Sequence, residues 1–571
     1  MDERPWFKSY DPGLPRTLQP YPECTLLDVM ADTVRDRPEH TALHFKGARM
    51  SYAQLERLSN AFAAALIHLG VQKGDRVAFV LPNCPQAIAG QLAAWKAGAI
   101  AAPLNALYTE RELEYMLNEI GAETVVVLTP FYAKIKAVQP ATRVRRVIAT
   151  NIKEHLSPLM RLLFTVAKEK KEGHRITLEP GDLWLADLLR QHDGAPRPTA
   201  LPGPTDPAIL LFSGGTTGAP KAALGTHHAL FMSASQLHAY ARSVLADWED
   251  ILTLVMPMFH VYGNMALNTA LIARWPMAVI PNPRDIGDLV ATIRKVRPAC
   301  IHGVPTLFIA LLNHPDVQSG KVPIDSMKVC WSAAAPLMAE TKQRFEAATG
   351  GWLLEAYAMT ETMLAAVCCP IHGTYKEGSV GVPLPDVDVR IVDIDSGEQE
   401  LPLGEIGEII VRAPQIMVGY WERPTETMNM MREGPAPVQS GARWVYTGDL
   451  GYIDEDGYLF IVDRKKDLIK PSGFQVWPRE VEEVIATHPA VAEVSVAGVP
   501  DERQGEAVKA WIIVRDGHQV TADEIRAHCR QELAGYKIPK HIEFRDTLPK
   551  TMVGKVLRRE LVSEEDAPAT H

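Results

Sequence analysis

Between residues 41 and 128 the chain alternates short apolar runs with segments of helical period, and this alternation restricts the fold more than any other feature. Thr41–Phe45, Arg76–Leu81 and Thr124–Leu128 read as strands. Ser51 with Gln54, and Thr109 with Glu112, have the spacing of capping boxes that open helices. Leu55, Leu58, Phe62, Ala65 and Leu66 follow the first box at helical spacing, and Pro85–Ala97 reads as a helix of small residues. Strand and helix in turn imply an α/β fold, a mostly parallel sheet covered by helices.

The stretch 151–205 breaks this rhythm. Ser157 and Pro158 suit the cap and first position of a helix whose Leu159, Leu162, Leu163, Val166 and Ala167 share one face, followed by Lys168, Lys170 and Lys171. One reading is a membrane-surface element; the favoured one is a helix packed on its own domain. Pro-rich residues 196–207 read as a linker. From Ala208 the α/β pattern resumes to about residue 385, and Val387–Val392 and Glu408–Val411 suggest a smaller β-rich region. After Arg464, helix Pro478–Ala486, strands Val491–Val499 and Ala507–Val514, helix Ala522–Leu533 and strand His541–Phe544 suggest a compact α+β domain. A length of 571 residues calls for several domains. The expected division is a large domain over 1–463 and a small, mobile one over 464–571.

Composition narrows the partners. The 59 Lys and Arg face 69 Asp and Glu, a net charge of -10, which argues against nucleic acid as the main partner. The seven cysteines show no metal-ligand spacing, so a reducing, cytoplasmic setting is expected. The opening residues do not read as a signal peptide, and no apolar run is long enough to span a bilayer. Oligomeric state is left open, a homodimer included, as is peripheral membrane contact.

The chemistry centres on one loop. The apolar strand Ala208–Phe212 runs into Ser213, Gly214, Gly215, Thr216, Thr217, Gly218, Ala219, Pro220 and Lys221. Glycines let the backbone turn its N–H groups toward an anion, hydroxyls add donors, and Lys221 adds a full charge. The loop is not of the G-x-x-x-x-G-K-[ST] kind, because Pro220 precedes the lysine and Ala222 follows it.

With this loop the chain resembles the adenylate-forming superfamily of acyl-CoA synthetases, luciferases and peptide-synthetase adenylation domains, from about residue 25 to 560, and is most similar to bacterial medium- and long-chain fatty acid–CoA ligases. The resemblance implies ATP, Mg²⁺ and coenzyme A as cofactors. It places Glu355, Ala356, Tyr357, Ala358, Met359, Thr360 and Glu361 at the nucleotide: Tyr357 beside the adenine, Thr360 on the α-phosphate, and Glu361 with Thr217 as candidate Mg²⁺ ligands. Ala334, Ala335 and Pro336, in Ser332–Leu337, match the segment under the adenine. Asp449 would bind both ribose hydroxyls, with Ile461 and Arg464 nearby. Lys466 falls at the interdomain hinge. Lys470 and Gly473 match the loop that lines the pantetheine tunnel after domain rotation. Lys555 matches the lysine that bridges the carboxylate and α-phosphate during adenylation. His260 would gate or orient the acyl carboxylate and thiol, or serve a structural role. Val261, Tyr262, Met265, Gly303 and Val304 are candidates for an apolar acyl pocket. Ala358 and Met552–Val553 depart from the commoner motif residues.

The implied reaction forms acyl-AMP and pyrophosphate from an acid and ATP, then passes the acyl group to coenzyme A. The alternatives are a ligase for aryl or short acids, an acyl-AMP ligase loading a carrier protein, and a non-catalytic nucleotide sensor.

Overall fold

The structure, a computed structural model, describes residues 4–213, 219–364, 366–435, 442–474, 476–501, 503–550 and 556–565. Both early capping boxes form. The Gln54 N–H donates to Ser51 Oγ at 3.2 Å and Gln54 Oε1 accepts from the Ser51 N–H at 2.9 Å, opening the helix Tyr52–His68. Thr109 and Glu112 open Glu110–Ile120 in the same way.

Two large sheets result. The first has eight strands in the order Gly419–Tyr420, Ala222–Thr226, Pro207–Phe212, Ile100–Leu104, Arg76–Val80, Thr124–Leu128, Arg146–Thr150 and Leu183–Trp184. Its run from Pro207–Phe212 to Leu183–Trp184 is parallel, as the alternation implies. The second has fourteen strands. Its parallel part includes Leu252–Leu254, Cys300–Gly303, Val329–Ser332 and Trp352–Tyr357. It continues antiparallel through Val367–Cys368, Ser379–Pro383, Leu459–Arg464, Arg443–Ile453, Gly407–Arg412 and Asp388–Val392. The small β-rich region of the sequence is thus the far end of one long sheet.

Every residue of the helix Pro85–Lys96 is buried. Its small side chains make close packing possible: a Cβ on Gly90 would meet the Phe79 ring at 2.5 Å. The Lys96 ammonium is held inside by Ser59 and Asn60 at 2.7 Å each and by Glu56 at 2.8 Å, and burial brings its pKa down to about 8.

The C-terminal residues form a separate three-stranded sheet of Val491–Asp501, Gly505–Val514 and His541–Phe544, with the helices Pro478–Ala486 and Ala522–Glu532. Ile469, Val476, Val481, Ile485, Val508 and Ile512 share its core.

Two expectations need correction. Residues 196–207 do not join separate domains: they lead from the helix Leu185–Gln191 back into the same eight-stranded sheet, and Arg197 donates to the Leu27 carbonyl at 2.8 Å. The helix Pro158–Ala167 does form, but Leu159, Leu162, Leu163 and Val166 are exposed rather than packed on the domain.

Candidate active site

The anion loop is closed at its base. The Ser213 N–H donates to the Lys221 carbonyl at 2.9 Å, because Phe212 and Ala222 are paired ends of two antiparallel strands. Gly214, Gly215, Thr216, Thr217 and Gly218 lie outside the described residues, as does Lys555.

Beyond the strand Trp352–Tyr357 the chain makes a single 3₁₀ turn at Thr360–Thr362, which buries Thr360 and Glu361. Glu361 is fastened from a second direction: Tyr420 Oη donates to Glu361 Oε1 at 2.5 Å, and the Met417 N–H donates to the Glu361 carbonyl at 2.9 Å. The Lys221 ammonium stands 4.7 Å from the Tyr420 ring centroid. Tyr420 thus joins the loop lysine to the motif carboxylate, and it can do so because Tyr420 pairs with Ala223 on the strand that follows Lys221. Burial pushes the Glu361 carboxyl up, while the Tyr420 hydroxyl and Lys221 oppose that shift. No group of three His, Cys, Asp or Glu side chains that could enclose a metal occurs among the described residues. A lone buried carboxylate suits a cation that takes its other ligands from phosphates and water, which is how Mg²⁺ is commonly held.

A second cluster lies across the sheet. Tyr357 Oη donates to Asp449 Oδ2 at 2.7 Å, and Arg464 Nε is 3.1 Å from Asp449 Oδ1. Asp449 and Arg464 are direct partners on neighbouring antiparallel strands, so the pairing register itself sets the contact. Tyr357 therefore orients the carboxylate through its hydroxyl. Ile461 contributes its carbonyl to Arg479 Nη1 at 2.9 Å.

Ala334 and Pro336 are exposed and Ala335 is half-buried, at the end of the strand Val329–Ser332. Ala334 has φ +72°, a left-handed conformation that costs a residue with a Cβ about 1 kcal/mol or more. Glu355 is buried against this segment: its Oε1 accepts from the Leu337 N–H at 3.3 Å and its Oε2 from Tyr375 Oη at 3.4 Å. Glu355 thus ties the Ser332–Leu337 segment to the strand Trp352–Tyr357. Ala356, Ala358 and Met359 are half-buried, and φ at Ala358 is not left-handed, so alanine serves where the motif usually has glycine.

His260 caps the helix Val261–Ala273: its Nδ1 accepts from the Tyr262 N–H at 3.2 Å. An accepting Nδ1 places the proton on Nε2. Burial lowers the imidazole pKa to about 4, so the ring is neutral at pH 7. Tyr262 is buried, with its hydroxyl donating to the Trp331 carbonyl at 2.9 Å, and Val261 and Met265 are also buried. Gly303 is closely packed: a Cβ there would meet the Leu307 side chain at 2.8 Å and the Phe308 ring at 3.0 Å. Of the expected pocket residues, Val304 lines an open cavity of about 270 Å³, with Met256, Pro257, Ile286, Leu307 and Ala310. Arg284 is the charged residue on its wall. Val261, Tyr262, Met265 and Gly303 do not line that cavity; they are core residues behind it.

Lys466 is exposed, and Lys470 directs its N–H to Glu506 Oε2 at 2.6 Å. In the turn Pro471–Gly473, Ser472 takes a left-handed φ of +51°.

Sequence reading missed Tyr420, Asn83 and Arg558. Asn83 fastens the His260 loop: its Nδ2 donates to the Met256 carbonyl at 2.9 Å and its Oδ1 accepts from the Met258 N–H at 2.9 Å. Arg558 Nη1 lies 3.3 Å from Asp463 and 3.2 Å from Asp467, and its Nη2 lies 2.7 Å from Glu482. None of the three carried a local motif, because their partners are distant in the chain.

Comparison with known proteins places the whole chain in one family. The AMP-binding enzyme family matches residues 30–421, and the AMP-binding enzyme C-terminal domain matches residues 480–555. A long-chain-fatty-acid–CoA ligase of Bacillus subtilis (strain 168) is 37% identical over 567 residues, covering 99% of each chain. One from Yersinia pestis is 37% identical over 571 residues, covering 99% of this chain and 98% of that one. ATP-bound MatB from Rhodopseudomonas palustris shares the architecture with a TM-score of 0.80 and 31% identity, covering 95% of this chain and 99% of that one. The matches span nearly the whole chain, and its fold of two large sheets with a small C-terminal unit agrees with them: the chain belongs to the AMP-binding, adenylate-forming enzyme family.

Proposed function

We propose that this chain is an AMP-forming acyl-CoA ligase for a medium- or long-chain fatty acid, producing acyl-CoA, AMP and pyrophosphate by way of acyl-AMP. The observation that carries the reading is the junction of Lys221, Tyr420 and Glu361. Full-length likeness to proteins named long-chain-fatty-acid–CoA ligases supports the acid class, as does the largely apolar lining at Val304.

The Ser213–Lys221 loop grips the β- and γ-phosphates through backbone N–H groups, hydroxyls and the ammonium. Glu361, with Thr217, is the site for Mg²⁺, which neutralises phosphate charge when bound. Thr360 donates to the α-phosphate. Asp449, oriented by Tyr357 and Arg464, accepts from the ribose hydroxyls, and Ala334–Pro336 lie under the adenine. Lys555 places an ammonium between the acid's carboxylate and the α-phosphate, where negative charge accumulates as the acyl oxygen attacks. Neutral His260 offers its Nε2–H to the acyl carboxylate without adding charge. Holding two anions in line supplies several kcal/mol of barrier lowering.

The division falls at residue 464. Rotation of the small domain about Lys466 withdraws Lys555 and brings in the Lys470–Gly473 loop for attack by the CoA thiol. The expected setting is cytoplasmic.

The test separates the half-reactions. Lys555→Ala should abolish acid-dependent ATP–pyrophosphate exchange while sparing thioester formation from supplied acyl-AMP; Gly473→Trp should do the reverse. Equal loss of both steps in either variant refutes the division of roles. A panel of fatty, aryl and short acids scored by AMP release, with free CoA as acceptor, distinguishes this reading from an aryl-acid ligase and from carrier-protein loading.

A further inference from the structure

The helix Pro158–Ala167 turns its apolar side away from the protein. Leu159, Leu162, Leu163 and Val166, at positions i, i+3, i+4 and i+7, are 67%, 62%, 52% and 80% exposed. A helix that packs on its own domain shows the opposite orientation. The other side of this helix is held: Phe164 is half-buried and meets the His174 ring edge-on, with centroids 5.2 Å apart. Just beyond the helix, buried Glu169 receives Lys153 at 2.5 Å and Asn151 at 3.3 Å. The apolar ridge is therefore a built feature.

Its surroundings are basic in an acidic protein. Arg161, Lys168, Lys170, Lys171 and Arg175 are all exposed, whereas the segment's carboxylates are the buried Glu169 and Glu172, which pairs with Lys168 at 3.4 Å. The whole chain carries a net charge of -10, so the positive rim is local. The helix leaves the carboxyl end of the strand Arg146–Thr150, and the Ser213 loop leaves the carboxyl end of Pro207–Phe212. These strands run parallel in one sheet, so the ridge and Ser213 stand at the same sheet edge.

We propose that this helix is a membrane-docking site for an anionic phospholipid surface, its apolar ridge entering the acyl boundary and its cations meeting headgroup phosphates. A ten-residue helix is about 15 Å long, half the hydrocarbon thickness of a bilayer, so it lies in the interface plane. No helix among the described residues is long and apolar enough to cross a membrane. The charge pattern selects this occupant, because an apolar stripe bordered by cations complements an anionic surface better than it complements a second copy of this basic patch. The purpose assigned to the contact, capture of a membrane-dissolved acid at the edge that carries the active site, rests on the fatty acid reading; the contact itself does not.

Flotation of the full-length protein with vesicles tests it. Wild type should bind phosphatidylcholine vesicles weakly and those containing phosphatidylglycerol strongly, with binding falling as salt rises. Lys170→Glu/Lys171→Glu should lose about 25-fold or more on anionic vesicles, since each lipid-facing cation is worth about fivefold. Leu162→Asp/Leu163→Asp should lose binding to both vesicle types. Both variants should adenylate a water-soluble short-chain acid as wild type does, because neither substitution touches the site. The proposal is overturned if wild type does not float, if the variants float equally well, or if light scattering shows a dimer that Leu162→Asp/Leu163→Asp dissociates. Loss of the proposed enzyme function would appear separately, as absent adenylation of every acid with vesicle binding intact.

Discussion

The hydroxyl of Tyr420 donates to the carboxylate of Glu361 at 2.5 Å, across 59 residues of sequence. The same ring lies against the Lys221 ammonium, so one aromatic side chain couples the anion loop to the acidic motif. Tyr420→Phe keeps the ring and removes the donor. A buried carboxylate that loses a hydrogen bond loses about 1–3 kcal/mol. The Mg²⁺ concentration needed for half-maximal pyrophosphate exchange should rise about tenfold, while thioester formation from supplied acyl-AMP is unchanged. An unaltered Mg²⁺ dependence would place Tyr420 outside the site.

Burial holds the Glu361 pKa above its ordinary 4.5. The folded state then favours the protonated acid, so this group stabilises below pH 4.5 and that contribution is lost as pH rises through the raised folded value. At neutral pH an ionised Glu361 is a cost to the ligand-free fold. Glu361→Gln should therefore raise the Tm of the ligand-free protein at pH 7 by a few degrees and abolish adenylation. A lower Tm would show that the carboxylate is well compensated without a cation.

Cap and chemistry at His260 are separable. His260→Ala removes the acceptor for the Tyr262 N–H and should cost about 1 kcal/mol, whereas Asn restores a cap. If the Nε2–H acts on substrate, Asn should recover stability but not kcat; recovery of both assigns His260 a structural role alone. The folded pKa of about 4 lies below the unfolded 6.5, so this residue's contribution to stability is full above pH 6.5 and is lost as pH falls through 4. Adenylation should show no titration by His260 between pH 6.5 and 8.

Asp449 is pre-aligned by Tyr357 and Arg464. Asp449→Ala should raise KM for ATP about 10- to 100-fold, the range for losing hydrogen bonds to a charged group. Tyr357→Phe should raise it less, since Arg464 remains. Steady-state kinetics at saturating acid and CoA measure both, and a larger effect from Tyr357→Phe would move the ribose contact away from Asp449.

Arg558 gathers Asp463, Asp467 and Glu482 around one guanidinium, spanning the strand Leu459–Arg464 and the C-terminal unit. Arg558→Met leaves carboxylates facing one another and should cost about 3 kcal/mol. Burial raises the pKa of both Asp463 and Glu482, and Arg558 opposes that. Without the arginine both carboxyls should rise further, so the deficit should shrink as pH falls, as denaturation at pH 5 and pH 8 would reveal. A pH-independent deficit would assign the loss to packing.

By itself the sequence determined the local elements and the chemical vocabulary. Capping boxes and strand runs depend on neighbours a few residues apart, so Ser51–Gln54, Thr109–Glu112, Thr124–Leu128 and Pro478–Ala486 were readable before any fold was known. The motif residues Lys221, Glu361, Asp449 and Arg464 were readable as well, because their order along the chain carries the family pattern. Tertiary structure alone decided which groups meet. Tyr420 reaches Glu361, Tyr357 reaches Asp449, and Asn83 fastens the His260 loop only because the packed fold brings together segments that are distant in the chain. It also decided direction. Periodicity showed that Leu159, Leu162, Leu163 and Val166 share a face, but a helical pattern is the same whether that face turns inward or outward. Only the path of the chain around the sheet edge set those side chains toward solvent.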